Sequence, residues 1–439
     1  MDDTSSTPRA SAFLPFLVFL IFYLGLSLWA NDFYKVPMPL AFLVASAVAV
    51  CQNRRRKLSE KIDDYAKGMG DTNIMIMCLI FILAGAFASV AKGMGAVEAA
   101  VELTRLVIPP RLMLSGMFVI SCLVSLSIGT SCGTIAAVTP IALGLTESLG
   151  ISPAWMIGAV VGGSMFGDNL SMISDTTIAA TRTQGIEMRQ KFLANVRIAI
   201  PSAIAATVLY VLIGSNPAIS SALPSVTWNH LWQILPYVLI FVLAIVGMNV
   251  MMLLFCGTVM AAAIGILIGK LDFWSALKFI GDGSLGMAET LFVALLAGGL
   301  LRLIRQNGGI RWLLMRIERT VSSARGREFG ILLLICAINL FTANNTVAIV
   351  IAGPIAKELA ERFNCVPSRV ASILDSGSCV IQGLIPYGAQ ILIAAGLAKS
   401  ADVQLSSIDL ICHLHYPLLL LLALLVSICF AYRAAKPPS

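Results

Sequence analysis

Residues 112–134 read LMLSGMFVISCLVSLSIGTSCGT, an apolar run near the length of a membrane crossing that ends, between Ser125 and Thr134, in two glycines and five hydroxyls. The pattern returns 214 residues later without gaps. Thr130 and Ser131 fall on Asn344 and Asn345, Pro140 on Pro354, Gly150 on Asn364, Pro153 on Pro367, Gly163 on Gly377 and Ser164 on Ser378. Upstream, Gly95 falls on Gly309. At an offset of 211, Lys67-Gly68-Met69-Gly70-Asp71 falls on Lys278-Phe279-Ile280-Gly281-Asp282. Prolines and glycines matched at fixed spacing point to an internal repeat, against the alternative of chance similarity between two Gly-rich apolar segments.

Composition agrees with a membrane setting. Of 439 residues 58% are hydrophobic and 12% charged, where a soluble domain carries about a quarter charged. Apolar runs recur at 12–30, 36–51, 73–91, 112–128, 198–214, 232–247, 249–269, 289–301, 329–343 and 413–432, so about 10–12 crossings are expected once broken segments are included. The first run has no small-residue cleavage site and is followed at once by Asn31, Asp32 and a second span, which reads as a retained helix. Ten cysteines are scattered singly, most inside apolar runs (Cys51, Cys78, Cys122, Cys256, Cys336, Cys429), in no zinc or disulfide spacing. Three histidines, two of them (His413 and His415) at the start of the last span, argue against a histidine-built metal site. The net charge of +7 lies in short segments between spans, where it orients a membrane protein and does not point to nucleic acid.

Loop charge sets orientation. Arg54, Arg55, Arg56, Lys57, Lys61 and Lys67 in 52–72, Arg182, Arg189, Lys191 and Arg197 in 182–197, and Arg302, Arg305, Arg311, Arg316, Arg319, Arg325 and Arg327 in 302–329 mark cytoplasmic segments, while 215–230 has no Lys or Arg. Arg433 and Lys436 put the C-terminus inside, and both termini are expected there. Under the repeat, basic 52–72 corresponds to charge-balanced 270–288, and mixed 92–111 to Arg-rich 302–329, so inside and outside have swapped. The fold expected is an all-α polytopic membrane protein with two inverted-topology repeats and broken or re-entrant helices, a common plan for secondary transporters. Its parts are an N-terminal helix (1–35), a first repeat (36–181), connecting helices (182–247), a second repeat (248–400) and a C-terminal helix (401–439).

Polar interruptions fall at matching places in both halves. The first pair is Ser125 to Thr134 and Asn339, Thr342, Asn344, Asn345 and Thr346, where freed carbonyls and hydroxyls suit a hard cation. Helix packing is the alternative for any one Ser or Thr. The second pair is Gly162 to Thr177, holding Asp168, Asn169, Ser171, Ser174, Asp175 and Thr176, and Asp375 to Gly388, holding Gln382 and Pro386. A carboxylate at membrane depth is a functional candidate, because burying it without a partner costs several kcal/mol. Asp175 also reads as a helix N-cap. The candidate ion-binding residues are Asp168, Asn169, Ser171, Asp175, Thr130, Ser131, Asn344, Asn345, Thr346 and Asp375, with Gly129, Gly133, Gly163, Gly167, Gly377, Gly383 and Pro386 as hinges of the broken helices. Glu98 and Glu147 lie near helix ends and read as interfacial, and Glu289 opens a span.

The run Phe166-Gly167-Asp168-Asn169-Leu170-Ser171, followed by Ile173-Ser174-Asp175-Thr176-Thr177 and Thr181-Arg182-Thr183-Gln184-Gly185, closely resembles the signature of NhaC-type sodium/proton antiporters. Gly129-Thr130-Ser131 and the segment from Asp375 to Gln390 look like that family's other blocks, and the likeness spans residues 36 to 430. Met172 stands where the signature has proline, although Pro386 occupies the aligned place in the second half. The resemblance implies Na+ extrusion driven by H+ entry, in the architecture of the ion transporter superfamily, a scaffold with a moving unit. The cargo is then Na+ and H+, with Na+ at the candidate residues. No cofactor is implied, the setting is the lipid bilayer of a bacterial inner (cytoplasmic) membrane, and a homodimer is a possible assembly.

On this reading Na+ and a proton compete for one carboxylate, and loaded forms cross where the bare anion does not. The family's exchangers of small organic acids supply a rival reading, which would call for a binding arginine at depth. No Arg or Lys falls inside the interruptions. An intramembrane aspartyl protease using Asp168 and Asp375 is a remote alternative, since Met165 stands where its motif has glycine and no Tyr precedes the other aspartate. A channel is disfavoured by the paired breaks, and the chain reads as a secondary transporter, not an enzyme.

Overall fold

The computed structural model describes residues 7–30, 35–53, 56–172, 174–214, 228–246, 248–320, 326–362 and 365–431. Asn31, Asp32, Arg54, Arg55, Ile173, Arg325, Asn364, Arg433, Lys436 and most of 215–230, used above, lie outside them. All regular structure among the described residues is helical. Among the described residues six helices are at least 18 residues long and apolar enough to cross a bilayer, and five shorter apolar ones accompany them, as a multi-pass membrane protein requires.

In the first half we label α1 (Met38–Cys51), α2 (Leu58–Met69), α3 (Thr72–Gly93), α4 (Met113–Ile128), α5 (Ser131–Leu149), α6 (Pro153–Leu170), α7 (Asp175–Gln184) and α8 (Met188–Gly214). In the second half follow α9 (Val250–Leu267), α10 (Phe273–Gly286), α11 (Ala288–Gln306), α12 (Gly326–Thr342), α13 (Asn345–Arg362), α14 (Pro367–Gln382), α15 (Ala389–Ser400) and α16 (His415–Ala431). Each second-half helix carries its counterpart's number plus eight. Ile128 and Thr342 end equivalent helices, and Ser131 and Asn345, Pro153 and Pro367, and Asp175 and Ala389 begin them, every pair 214 residues apart.

Packing repeats the same relation. α5 packs against α15 and α13 against α7; α2 against α11 and α10 against α3; α1 against α11 and α9 against α3. The pattern reaches α8 and α16, which pack on α14 and α6 respectively and on each other. Without a hydrophobic force between helices in lipid, close approach has to come from small side chains. Two glycine crossings supply it. A methyl group on Gly68 of α2 would stand 2.6 Å from the Gly298 carbonyl oxygen of α11, and one on Gly283 of α10 would stand 2.3 Å from that of Gly85 of α3.

The breaks are narrower than the sequence suggests. The first chain interruption is only Gly129 and Thr130, with Gly129 left-handed at φ +74°, and its counterpart is Ala343 and Asn344, with Ala343 at φ +50°. The segments 52–72 and 270–288, read as loops, contain helices α2 and α10. Gly163 and Gly167, expected to be hinges, lie inside continuous α6. They admit α4 instead: a methyl group at Gly163 would meet the Phe118 carbonyl oxygen at 2.3 Å, and one at Gly167 would meet the Leu126 amide nitrogen at 2.5 Å. Keeping the helix intact there also keeps its backbone groups paired where no water can reach them. Gly377 lies within α14 against Ile335 and Leu332, and Gly133 lies in the first turn of α5 against Val250. Gly129, Gly383 and Pro386 are the expected hinge residues that fall at breaks, α6 ending at Leu170 and α14 at Gln382.

Candidate functional site

Three helix N-termini converge on the last turn of α6. Ser131, the first residue of α5, donates its hydroxyl proton to Asp168 Oδ2 at 2.7 Å, and Ser174, the N-cap of α7, donates to Asp168 Oδ1 at 2.6 Å. Gln390, the second residue of α15, donates from Nε2 to Ser131 Oγ at 2.9 Å. Helix N-termini carry unpaired N–H groups and partial positive charge, so a carboxylate at this junction sits in a favourable field without a counter-ion. Asp168 is half-buried, and among the described residues no Lys, Arg or His forms an ion pair with it.

Beside it lies a closed polar cluster. Asp375, on α14, forms an ion pair with Lys191 of α8, and each is 1% exposed. Lys191 Nζ also donates to the Asn169 carbonyl at 2.6 Å and to Thr177 Oγ1 at 2.7 Å, so its three N–H donors are all engaged. One of these bonds caps an end carbonyl of α6, which the chain break leaves without a helical donor. Asn195, one turn after Lys191, donates to Asn169 and to Asp375 Oδ2, while Asn169 Nδ2 donates to Ser376 Oγ. Thr177 Oγ1 donates to the Ser171 carbonyl and so pins the start of α7 to the end of α6.

The remaining candidates separate by location. Thr130 occupies the N-cap position of α5 without a side-chain cap bond, and Ser171 donates to the Leu126 carbonyl. Asp175 occupies the first turn of α7 with an exposed side chain, the cap itself being Ser174. Asn344, Asn345 and Thr346 belong to the second repeat's break. There Asn344 accepts from the Val347 amide, Asn345 accepts from Asn339, and Gln382 donates to the Ala343 carbonyl. The structure therefore joins Ser131 and Ser174 to Asp168, and it joins Asn169 to Asp375.

Lys191 corrects two sequence-level expectations. Residues 182–197 are not a loop, because α8 starts at Met188 and turns Lys191 inward, and a Lys does reach the interruption. Arg189 beside it makes the segment look uniformly basic. The readable signal was the four-residue spacing of Lys191 and Asn195, which puts both on one helix face. A separate cavity of about 840 Å³ opens between α3, the helix Ala96–Val107, α5, α10 and α15, lined by Glu98, Glu102, Glu147, Asp282 and Lys92 and by none of the residues bonded to Asp168.

The sequence model described as the Na+/H+ antiporter family matches residues 38–215 and 200–434. The chain belongs to the Na+/H+ antiporter family. Its NhaC-type character, resembled in the Asp168 signature, is matched by the "Na(+)/H(+) antiporter NhaC" of Bacillus subtilis, 26% identical over 80% of this chain and 84% of that protein. This family member is also 23% identical, over 89% of both chains, to the "Malate-2H(+)/Na(+)-lactate antiporter" of Bacillus subtilis. Among solved structures it is similar to the YdaH transporter of Alcanivorax borkumensis, at 14% identity and a TM-score of 0.40 over 81% of this chain and 85% of that one.

Proposed function

We propose that this protein exchanges Na+ for H+ across the bacterial cytoplasmic membrane, with Asp168 as the group for which the two cations compete and both termini facing the cytoplasm. The observation that carries it is the contrast in partners: among the described residues Asp168 is met by the Ser131 and Ser174 hydroxyls and the Ser131 backbone and by no cation, whereas Asp375 is neutralised by Lys191. A hydroxyl that donates to a carboxylate keeps its oxygen lone pairs, so Ser131 and Ser174 can serve a cation held by the same carboxylate. A proton on Asp168 removes the charge that holds the metal ion. Loading one cation therefore expels the other, and exchange follows if the bare anion does not cross.

A second reading, exchange of small carboxylates, is favoured by the malate/lactate relative. The lysine at depth does not serve it, because its three donors are already taken within the protein. The test is acidification-monitored exchange in proteoliposomes with Na+, Li+, K+ and small carboxylates offered in turn. Na+-dependent H+ flux that needs no carboxylate supports the proposal; flux that appears only with a carboxylate overturns it.

A further inference from the structure

Gln390 belongs to the second repeat, yet its carboxamide lies at the first repeat's carboxylate. Its Nε2 donates a hydrogen bond to Ser131 Oγ, and Ser131 in turn donates one to Asp168 Oδ2. A hydroxyl has one proton to give, so Ser131 has to accept from Gln390. That fixes the orientation of the amide, with nitrogen toward Ser131 and oxygen directed elsewhere. Oε1 is then buried with no hydrogen-bond partner among the described residues, on a side chain only 5% exposed. Buried amide oxygens left without partners are uncommon, and each calls for an explanation such as an ion.

Asn339 Oδ1 and Gln382 Oε1 are orphaned in the same way at the second repeat's break, and Asn195 Oδ1 beside Asp375. None of these is linked by hydrogen bonds to a carboxylate free of a counter-ion; Gln390 is. We infer that Gln390 Oε1 is a ligand of the transported Na+, supplied by the opposite repeat to the Asp168 site. The inference rests on the Na+/H+ reading and assigns this residue a part in specificity. A metal ion needs several oxygens to replace its hydration shell, whereas a proton on Asp168 needs only the carboxylate. Gln390 accordingly strengthens Na+ binding, as a direct ligand, more than it alters proton binding, which it reaches only through Ser131.

The test is Na+-dependent H+ flux in proteoliposomes of the full chain carrying Gln390→Met, which keeps length and bulk but deletes the oxygen together with the Nε2 donor to Ser131. The half-saturating Na+ concentration is expected to rise about tenfold, as for loss of one polar contact to a charged group. The inhibition constant for competing protons is expected to change by a much smaller factor than the Na+ half-saturation. A native Na+ half-saturation in this variant overturns the inference. So does equal weakening of Na+ and proton binding, which a merely structural role would produce. Should Gln390→Met not fold, Gln390→Asn, which draws the oxygen back by one methylene, is expected to raise chiefly the Na+ half-saturation, and native values there overturn the inference too. Absence of Na+-dependent flux in the native protein, or its survival in Asp168→Asn, would instead defeat the exchange reading itself.

Discussion

Asp168 in the last turn of α6 and Gln382 at the end of α14 stand 214 residues apart, at equivalent places in the two repeats. Both reach a helix break. Asp168 accepts hydrogen bonds from Ser131 and Ser174, whereas Gln382 donates one to the Ala343 carbonyl. The backbone frame is shared and the chemistry is not: duplication supplies two sets of broken helices, and divergence leaves a carboxylate in one and an amide in the other. The second half's aspartate, Asp375, arises elsewhere on α14 and is closed off by Lys191. Equivalence of architecture therefore does not imply two exchange sites.

The largest effect expected is from Asp168→Asn, which should reduce Na+-dependent H+ flux in proteoliposomes to background while the protein still elutes as a folded species. Moving the acid across the axis, as Asp168→Asn with Gln382→Asp, should not restore flux, because the second break offers amides where the first offers Ser131 and Ser174. Restored flux would show the two breaks to be interchangeable. Next come Lys191→Met and Asp375→Leu, each of which strands a buried charge and should cost about 3–5 kcal/mol. Both together should regain much of that loss, read as the thermal midpoint in detergent.

How much of this was legible in the sequence depends on what each residue has to touch. The repeat was legible because Pro140 and Pro354, Pro153 and Pro367, and Gly163 and Gly377 keep their spacing, and the helix ends obey the same offset. Asp168 was legible as a carboxylate inside an apolar stretch. Gly163 and Gly167 were misread because a sequence does not distinguish a glycine that lets its own helix unwind from one that lets another helix approach. Lys191 was hidden by neighbouring arginines, and Gln390 by distance, since its partner Ser131 lies 259 residues away.

Smaller effects sharpen the comparison of scaffolds. Gly85→Ala forces a methyl group to 2.2 Å from the Gly283 carbonyl oxygen and should destabilise by about 1–3 kcal/mol, whereas Gly281→Ala, with nothing within 4 Å, should not destabilise. Smallest is the exchange of turn residues. Gly129→Ala should lose about 1 kcal/mol and Ala343→Gly should gain about as much, because both positions are left-handed and only one carries glycine. Thermal midpoints moving in the same direction would contradict the equivalence of the two turns.

The most direct measurement is proton release when Na+ is added to weakly buffered, detergent-solubilised protein near the pH at which half the sites hold a proton. The native protein should acidify the solution as Na+ displaces H+, with the Na+ needed rising as the pH falls, and Asp168→Asn should release nothing. Equal release from Asp168→Asn would contradict the claim that one carboxylate serves both cations.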